Sequence, residues 1–102
     1  MIVEVGLFRI EPSRSEEFAP IADDIRRAFG PHIPGLRSFH MASALEDPGR
    51  WTVLVAWDSV ADHERFVASA EGRRQRDLLE RFMIDEPEVF HVRLDDVREG
   101  LR

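Results

Sequence analysis

The chain has 102 residues, 43% of them hydrophobic, and a formal net charge of −6, which suits one small domain with a single core. The acidic balance argues against nucleic-acid binding, because that binding needs a basic surface to displace counterions from phosphates. No stretch is long and apolar enough to span a membrane, and the N-terminal residues lack the features of a signal peptide, so a cytoplasmic protein without membrane contact is expected.

Four residue types are missing from the sequence: Cys, Lys, Tyr and Asn. Without Cys the chain has no thiolate nucleophile, disulfide or sulfur-ligated metal, and without Lys it cannot form a Schiff base. The 4 histidines do not have the close spacing of a zinc motif. We therefore expect neither a metal ion nor a protein-bound cofactor.

The first two predicted elements are a strand and a helix. Residues 2–10 are rich in β-branched and aromatic side chains and apolar in both alternation phases, which predicts a central strand buried on both faces. Ser13 and Glu16 have capping-box spacing, and apolar residues then recur every three or four positions up to Gly30. The pattern predicts an amphipathic helix with a kink or a late start at Pro20, because proline removes a helical hydrogen bond.

The rest of the chain predicts a hairpin, two helical segments and a last strand. These elements are strands over 36–45 and 51–57, helices over 59–70 and 73–83, and a strand over 88–94. Ser59 and Asp62 have capping-box spacing where the first of these helices begins, and Gly72 is expected to separate it from the second. The residues from about 96 onward are expected to be a peripheral tail.

The order strand, helix, strand, strand, helix, strand is that of the ferredoxin-like α+β fold, an antiparallel sheet with helices on one face. The other sheet face then carries an apolar set from each strand, which a chain of this length cannot leave in water. We therefore expect one domain over residues 1–102 that forms a homodimer through the helix-free face of its sheet.

Several segments of the second half resemble a known protein family. They are PGLRSF before the hairpin, VLVAWDS at the end of the third strand, the helix with His63 and FVAS, and the last strand with Val89 and His91. They resemble the antibiotic biosynthesis monooxygenases, small dimeric α+β barrel proteins. The resemblance implies a pocket between helices and sheet, where a small aromatic, phenolic or quinol-type substrate is deprotonated and reacts with dioxygen without a cofactor. The alternative is a non-catalytic dimer of the same fold that binds a small apolar ligand or a partner.

His63 and Trp57 are the candidate catalytic residues. His63 shares a helical stripe with Val60 and Val67, and an imidazole exchanges protons near neutral pH because its ordinary pKa is about 6.5. The resemblance implies that Trp57 lines the pocket. The structural alternatives are a half-buried His63 bonded to a carbonyl or to Asp62, and a Trp57 that only fills the core. An open space beside both residues would favour the enzyme, and a filled one the structural alternatives.

Arg9, His40 and His91 are candidate substrate-binding residues. Arg9 could stabilise a phenolate or enolate, because a guanidinium keeps its charge when partly desolvated, or it could pair with Glu11. His40 and His91 lie on predicted strands whose phase the sequence leaves open, so each could face the pocket or the opposite side of the sheet. Heme degradation is disfavoured, because heme-degrading relatives use a first-strand asparagine and a later helix histidine that this chain lacks.

Overall fold

The computed structural model describes residues 1–94. Its elements are β1 (Ile2–Arg9), a 3-10 turn (Pro12–Arg14), α1 (Ser15–Ala28), β2 (Leu36–Ser43), β3 (Arg50–Trp57), α2 (Val60–Ala68), α3 (Ala70–Glu80) and β4 (Glu88–Arg93). The strands form one antiparallel sheet in the order β2-β3-β1-β4, which confirms the ferredoxin-like α+β fold. Within the described residues, none of the helices combines the length and apolar character that crossing a membrane requires. The predicted tail from about residue 96 lies outside the described residues.

The strand register separates the sheet into a helix-covered face and a helix-free face. The helix-covered face carries Ile2, Glu4, Gly6, Phe8, Phe39, Met41, Trp51, Val53, Val55, Trp57, Val89 and His91. On the helix-free face Leu54, Phe90 and Val92 are 41%, 42% and 36% exposed. Strand β1 is apolar on both faces, as predicted for a central strand, except at Glu4 on the helix-covered face and at its last residue, Arg9, on the helix-free face.

One end of the space between helices and sheet is filled by aromatic side chains. Trp51 stacks on Phe8 with ring centroids 6.2 Å apart and meets Phe18 edge-on at 5.0 Å. Phe18 comes from α1 and also contacts the ring of Phe82, with centroids 5.0 Å apart. Such aromatic pairs add to the free energy gained by burying their large apolar surfaces, so this end is the packed core.

The first helix begins differently from its prediction. Ser13 does not cap it but lies within the 3-10 turn that starts at Pro12, and Ser15 Oγ donates a hydrogen bond to the Pro12 carbonyl at 2.7 Å. The capping-box prediction was wrong because proline, with its fixed φ, is well suited to open a helical turn. Helix α1 then runs through Pro20 without interruption.

The break between the second and third helices lies at Ser69, so the prediction that Gly72 separates them was wrong. Ser69 has extended backbone angles, and its hydroxyl oxygen accepts a hydrogen bond from the Gly72 amide at 3.0 Å. Gly72 lies inside the first turn of α3, where an added Cβ would be only 2.0 Å from the Phe66 carbonyl oxygen. The glycine is therefore required by the close approach of α2 and α3.

Candidate active site

A cavity of about 470 Å³ lies between the sheet and the helices. Its wall is mainly apolar and includes Ile25, Phe29, Phe39, Val53, Phe66 and Leu79. The volume falls within the range of about 300 to 1,000 Å³ that is usual for small-molecule sites. Both His63 and Trp57 line this cavity, so the space beside them is open, as the enzyme hypothesis requires.

Trp57, His63 and Glu4 form a polar cluster at the cavity wall. Trp57 Nε1 donates a hydrogen bond to Glu4 Oε1 at 3.0 Å, and His63 Nε2 lies 3.1 Å from the same oxygen. The rings of Trp57 and His63 are stacked, with centroids 5.5 Å apart and planes 21° from parallel. Because Ile2 pairs with Trp57 across the strands, Glu4 lies only two residues away on the same face of the neighbouring strand.

The start of α2 sets the position of His63. The Asp62 amide donates a hydrogen bond to Ser59 Oγ at 3.2 Å, which confirms the second capping box. The Ser59 hydroxyl also donates to the Asp62 carboxylate at 2.8 Å, and this bond, followed by that from Arg65, lowers the pKa of Asp62. The Asp62 side chain is thus engaged with Ser59 and Arg65, while His63 faces the sheet and is buried.

His91 completes the cluster from strand β4. It lies opposite Glu4 in the β1–β4 register, and its Nε2 is hydrogen-bonded to His63 Nδ1 at 2.7 Å. Burial lowers the pKa of His63, the Glu4 charge opposes that shift, and His91 lowers the pKa further. A neutral His63 imidazole is therefore favoured at neutral pH.

The structure does not bring Arg9 or His40 into this cavity. Arg9 is on the helix-free face, half-exposed, and its Nη2 lies 3.6 Å from Asp47 Oδ2 rather than beside Glu11. His40 is exposed and pairs with Leu54, which also belongs to the helix-free face. Successive residues of a strand point to opposite faces, so only His91 of the three predicted substrate-binding residues shares a face with the cluster.

The polar residues of the site that were missed in the sequence include Glu4 and Gln75. Glu4 could have been noticed as a single charge in the otherwise apolar run IVEVGLF. Gln75 lines the cavity from α3, is buried, and has a side-chain oxygen without a hydrogen-bond partner within residues 1–94. Its spacing from Gly72 and Leu79 places it on the inward stripe of the helix.

The charged groups of the site are not arranged as a metal centre. Over the described residues 1–94 no group of three or more His, Asp or Glu side chains could hold a metal ion. Glu4, His63 and His91 instead follow one another in a row of pairwise contacts at 3.1 and 2.7 Å. Such a row can hold and move protons, which is the chemistry the site offers.

Comparisons with known proteins agree on one family and one fold. The family model for antibiotic biosynthesis monooxygenases matches residues 1–77. A candidate antibiotic biosynthesis monooxygenase from Bordetella bronchiseptica is 25% identical, with a TM-score of 0.80 over 92% of this chain and 96% of that chain. Another, from Deinococcus radiodurans, is 14% identical, with a TM-score of 0.82 over 100% of both chains. No curated protein sequence matches significantly.

Proposed function

Because the chain belongs to the antibiotic biosynthesis monooxygenase family, we propose that it is a cofactor-independent oxygenase of a small aromatic, phenolic or quinol-type substrate. The family match bears out the resemblance noted in the sequence. One observation carries the proposal: the cluster of Glu4, His63 and Trp57 lies on the wall of an otherwise mainly apolar cavity. Such a site can hold a flat aromatic ring and exchange a proton with it.

The proposed reaction needs a base and an apolar enclosure. The substrate loses a proton from an acidic C–H or O–H bond to the cluster, and the resulting anion reduces dioxygen directly and forms a C–O bond to it. The peroxide anion takes a proton back and becomes a hydroperoxide. The remaining C–H bond of the oxidised carbon then breaks as its proton is removed, and its electron pair forms the carbonyl with the proximal oxygen. The O–O bond breaks at the same time, and the distal oxygen leaves as hydroxide, which combines with the released proton to form water. The apolar wall favours these steps because electrostatic interactions strengthen where water is excluded.

The test of the proposed function is oxygen consumption with a panel of anthrones, naphthols and quinols. The wild-type protein should consume oxygen with at least one member of the panel. The double variant Glu4→Gln/His63→Gln lacks both candidate bases. Its rate of oxygen consumption should fall by about a hundredfold or more, because general-base catalysis contributes about 10² to 10⁴ in rate. His32→Gln is the matched control, since His32 is exposed and bonded to Glu71.

Each outcome of the oxygen experiment has a consequence for the proposal. A wild-type protein that binds members of the panel without consuming oxygen would contradict the oxygenase and support a non-catalytic ligand-binding module. A double variant as active as the wild type would show that the cluster does not carry the reaction. An equal loss in His32→Gln would indicate a general effect on folding.

We also propose that the protein is a homodimer through the helix-free face. Leu54, Phe90 and Val92 expose apolar surface there, and contiguous apolar patches of this kind mark interfaces. Leu54→Glu should yield a monomer in sedimentation at micromolar concentration, because the pairing would bury the new charge. Leu45→Glu should remain dimeric, since Leu45 is 100% exposed outside the strands. A wild-type monomer would contradict the proposal.

A further inference from the structure

The contacts of His63 determine which of its ring nitrogens carries the proton. Nε2 lies 3.1 Å from Glu4 Oε1, and a carboxylate oxygen can only accept. A lone pair on Nε2 at this distance would be repelled by the carboxylate oxygen, which favours the proton of the neutral ring on Nε2. Nδ1 then carries the lone pair and accepts the hydrogen bond from His91 Nε2 at 2.7 Å.

This arrangement leaves His63 without a lone pair for the substrate. A neutral imidazole has a single acceptor nitrogen, and His91 already donates to it. His63 is therefore suited to donate its Nε2–H to Glu4 and not to accept a proton from a substrate in the cavity. Its burial supports this role, because burial lowers the pKa of His63 and favours the neutral ring.

Glu4 has the acceptor that His63 lacks. Trp57 Nε1 donates to its Oε1, whereas no side-chain or backbone donor within residues 1–94 is hydrogen-bonded to Oε2. Glu4 lines the cavity, while its side chain is only 15% exposed. A carboxylate with one oxygen hydrogen-bonded to Trp57 Nε1 and 3.1 Å from His63 Nε2, and with the other oxygen unbonded, is a suitable general base.

We propose that Glu4 takes the substrate proton, and that His63, held in its Nε2–H form by His91, positions and stabilises the Glu4 carboxylate. This inference rests on the proposed oxygenase function. The acidic bond of the substrate breaks, its proton bonds to Glu4 Oε2, and the electron pair stays on the substrate. The protonated Glu4 later returns that proton to the peroxide oxygen that leaves as water. His63 and His91 are positioning residues in this scheme.

Deuterium exchange without oxygen tests proton removal separately from oxidation. Anthrone in anaerobic D₂O should exchange its acidic methylene hydrogens faster with the wild-type protein than with none. Glu4→Gln should slow the protein-dependent exchange by about a hundredfold or more. His63→Gln should keep it within about tenfold of wild type, because a glutamine amide can still donate to the carboxylate.

The exchange results decide the identity of the base. A large loss in His63→Gln together with a small loss in Glu4→Gln would overturn the proposal and make His63 the base. No protein-dependent exchange in the wild type would also overturn it. Exchange without oxygen consumption would leave Glu4 as the base and contradict only the proposed oxygenase function, so the two failures are distinguishable.

A matched pair of variants tests the part assigned to His91. His91→Gln keeps an N–H donor for His63 Nδ1 and should retain the exchange rate, whereas His91→Leu removes that donor and should lower the rate by about tenfold. Nitrogen-15 NMR of the histidine rings should show the Nε2–H form of His63 in the wild type and in His91→Gln, with more of the Nδ1–H form in His91→Leu. A wild-type His63 in the Nδ1–H form, or equal rates in both variants, would overturn the positioning role.

Discussion

Two tryptophans of β3 share a strand and a sheet face but have different surroundings. Trp51 is packed among the rings of Phe8 and Phe18, and its indole N–H has no hydrogen-bond partner within residues 1–94. Trp57 is fully buried, but its indole N–H donates to Glu4 and its ring stacks on His63. The difference therefore comes from the neighbouring elements and not from the strand itself.

The comparison shows how the fold combines stability with an open site. At the Trp51 end, α1 contributes Phe18 and the space is filled. At the Trp57 end, Glu4 and His63 lie among apolar side chains on the wall of the cavity. A small domain has little core to spare, so one end of the sheet is expected to supply most of the stability and the other the ligand site.

The largest expected effect is on the stability of the Trp51 end. Phe18→Ala should lower the free energy of unfolding by about 3 to 5 kcal/mol, because it leaves a cavity in a fully buried aromatic cluster. Phe66→Ala should lower the free energy of unfolding by less than Phe18→Ala, since Phe66 is only partly buried and already borders the cavity. Urea unfolding of both variants measures the difference, and equal losses would contradict the assignment of the packed core.

The next largest effect is the difference in stability lost when each of the two tryptophans is replaced by phenylalanine. Trp57→Phe removes a donor to a carboxylate, and such hydrogen bonds contribute about 1.5 to 3 kcal/mol. Trp51→Phe removes an N–H that has no partner within the described residues. Its loss in free energy of unfolding should therefore be smaller than that of Trp57→Phe by about this amount. Thermal and urea unfolding give the two values. A greater loss in Trp51→Phe would contradict the importance of the contact with Glu4.

A smaller effect is expected on ligand selection at Gln75. A buried amide oxygen without a partner favours a ligand that brings a donor to it. A dihydroxynaphthalene should therefore lose about tenfold in affinity on Gln75→Leu, equivalent to about 1.4 kcal/mol, whereas 1-naphthol should bind both proteins alike. Quenching of tryptophan fluorescence measures the affinities. If Gln75→Leu changed the affinity for both ligands by the same factor, a hydrogen bond between the ligand and Gln75 would be contradicted.

The smallest effect is a pH dependence of stability at the Trp57 end. Burial lowers the pKa of His63 below its ordinary value of 6.5, so the unfolded chain binds more protons than the folded chain in the interval just below 6.5. Stability should fall as the pH decreases through that interval and level off below the folded-state pKa. His63→Gln should flatten this part of the melting profile, while His32→Gln should leave it in place.

Local patterns in the sequence were sufficient for most of the fold. The order of strands and helices along the chain, the hairpin and the Ser59 capping box follow from alternation, turn residues and spacing within a few positions, and the inward position of His63 follows from the helical stripe. The errors at Ser13 and Gly72 have different causes. A proline-led turn and the close packing of two helices determined those boundaries, and neither is visible in the spacing of capping residues.

The sequence by itself determined which segments are strands and helices and that one stripe of α2 faces the sheet, because these features depend on residues close together in the chain. Only the tertiary structure decided which charges meet. Glu4, His63 and His91 come from three elements and touch through the β1–β4 register and the packing of α2 on the sheet. A shift of one residue in that register would turn His91 to the helix-free face, so the candidate site depends on long-range pairing that no local pattern records.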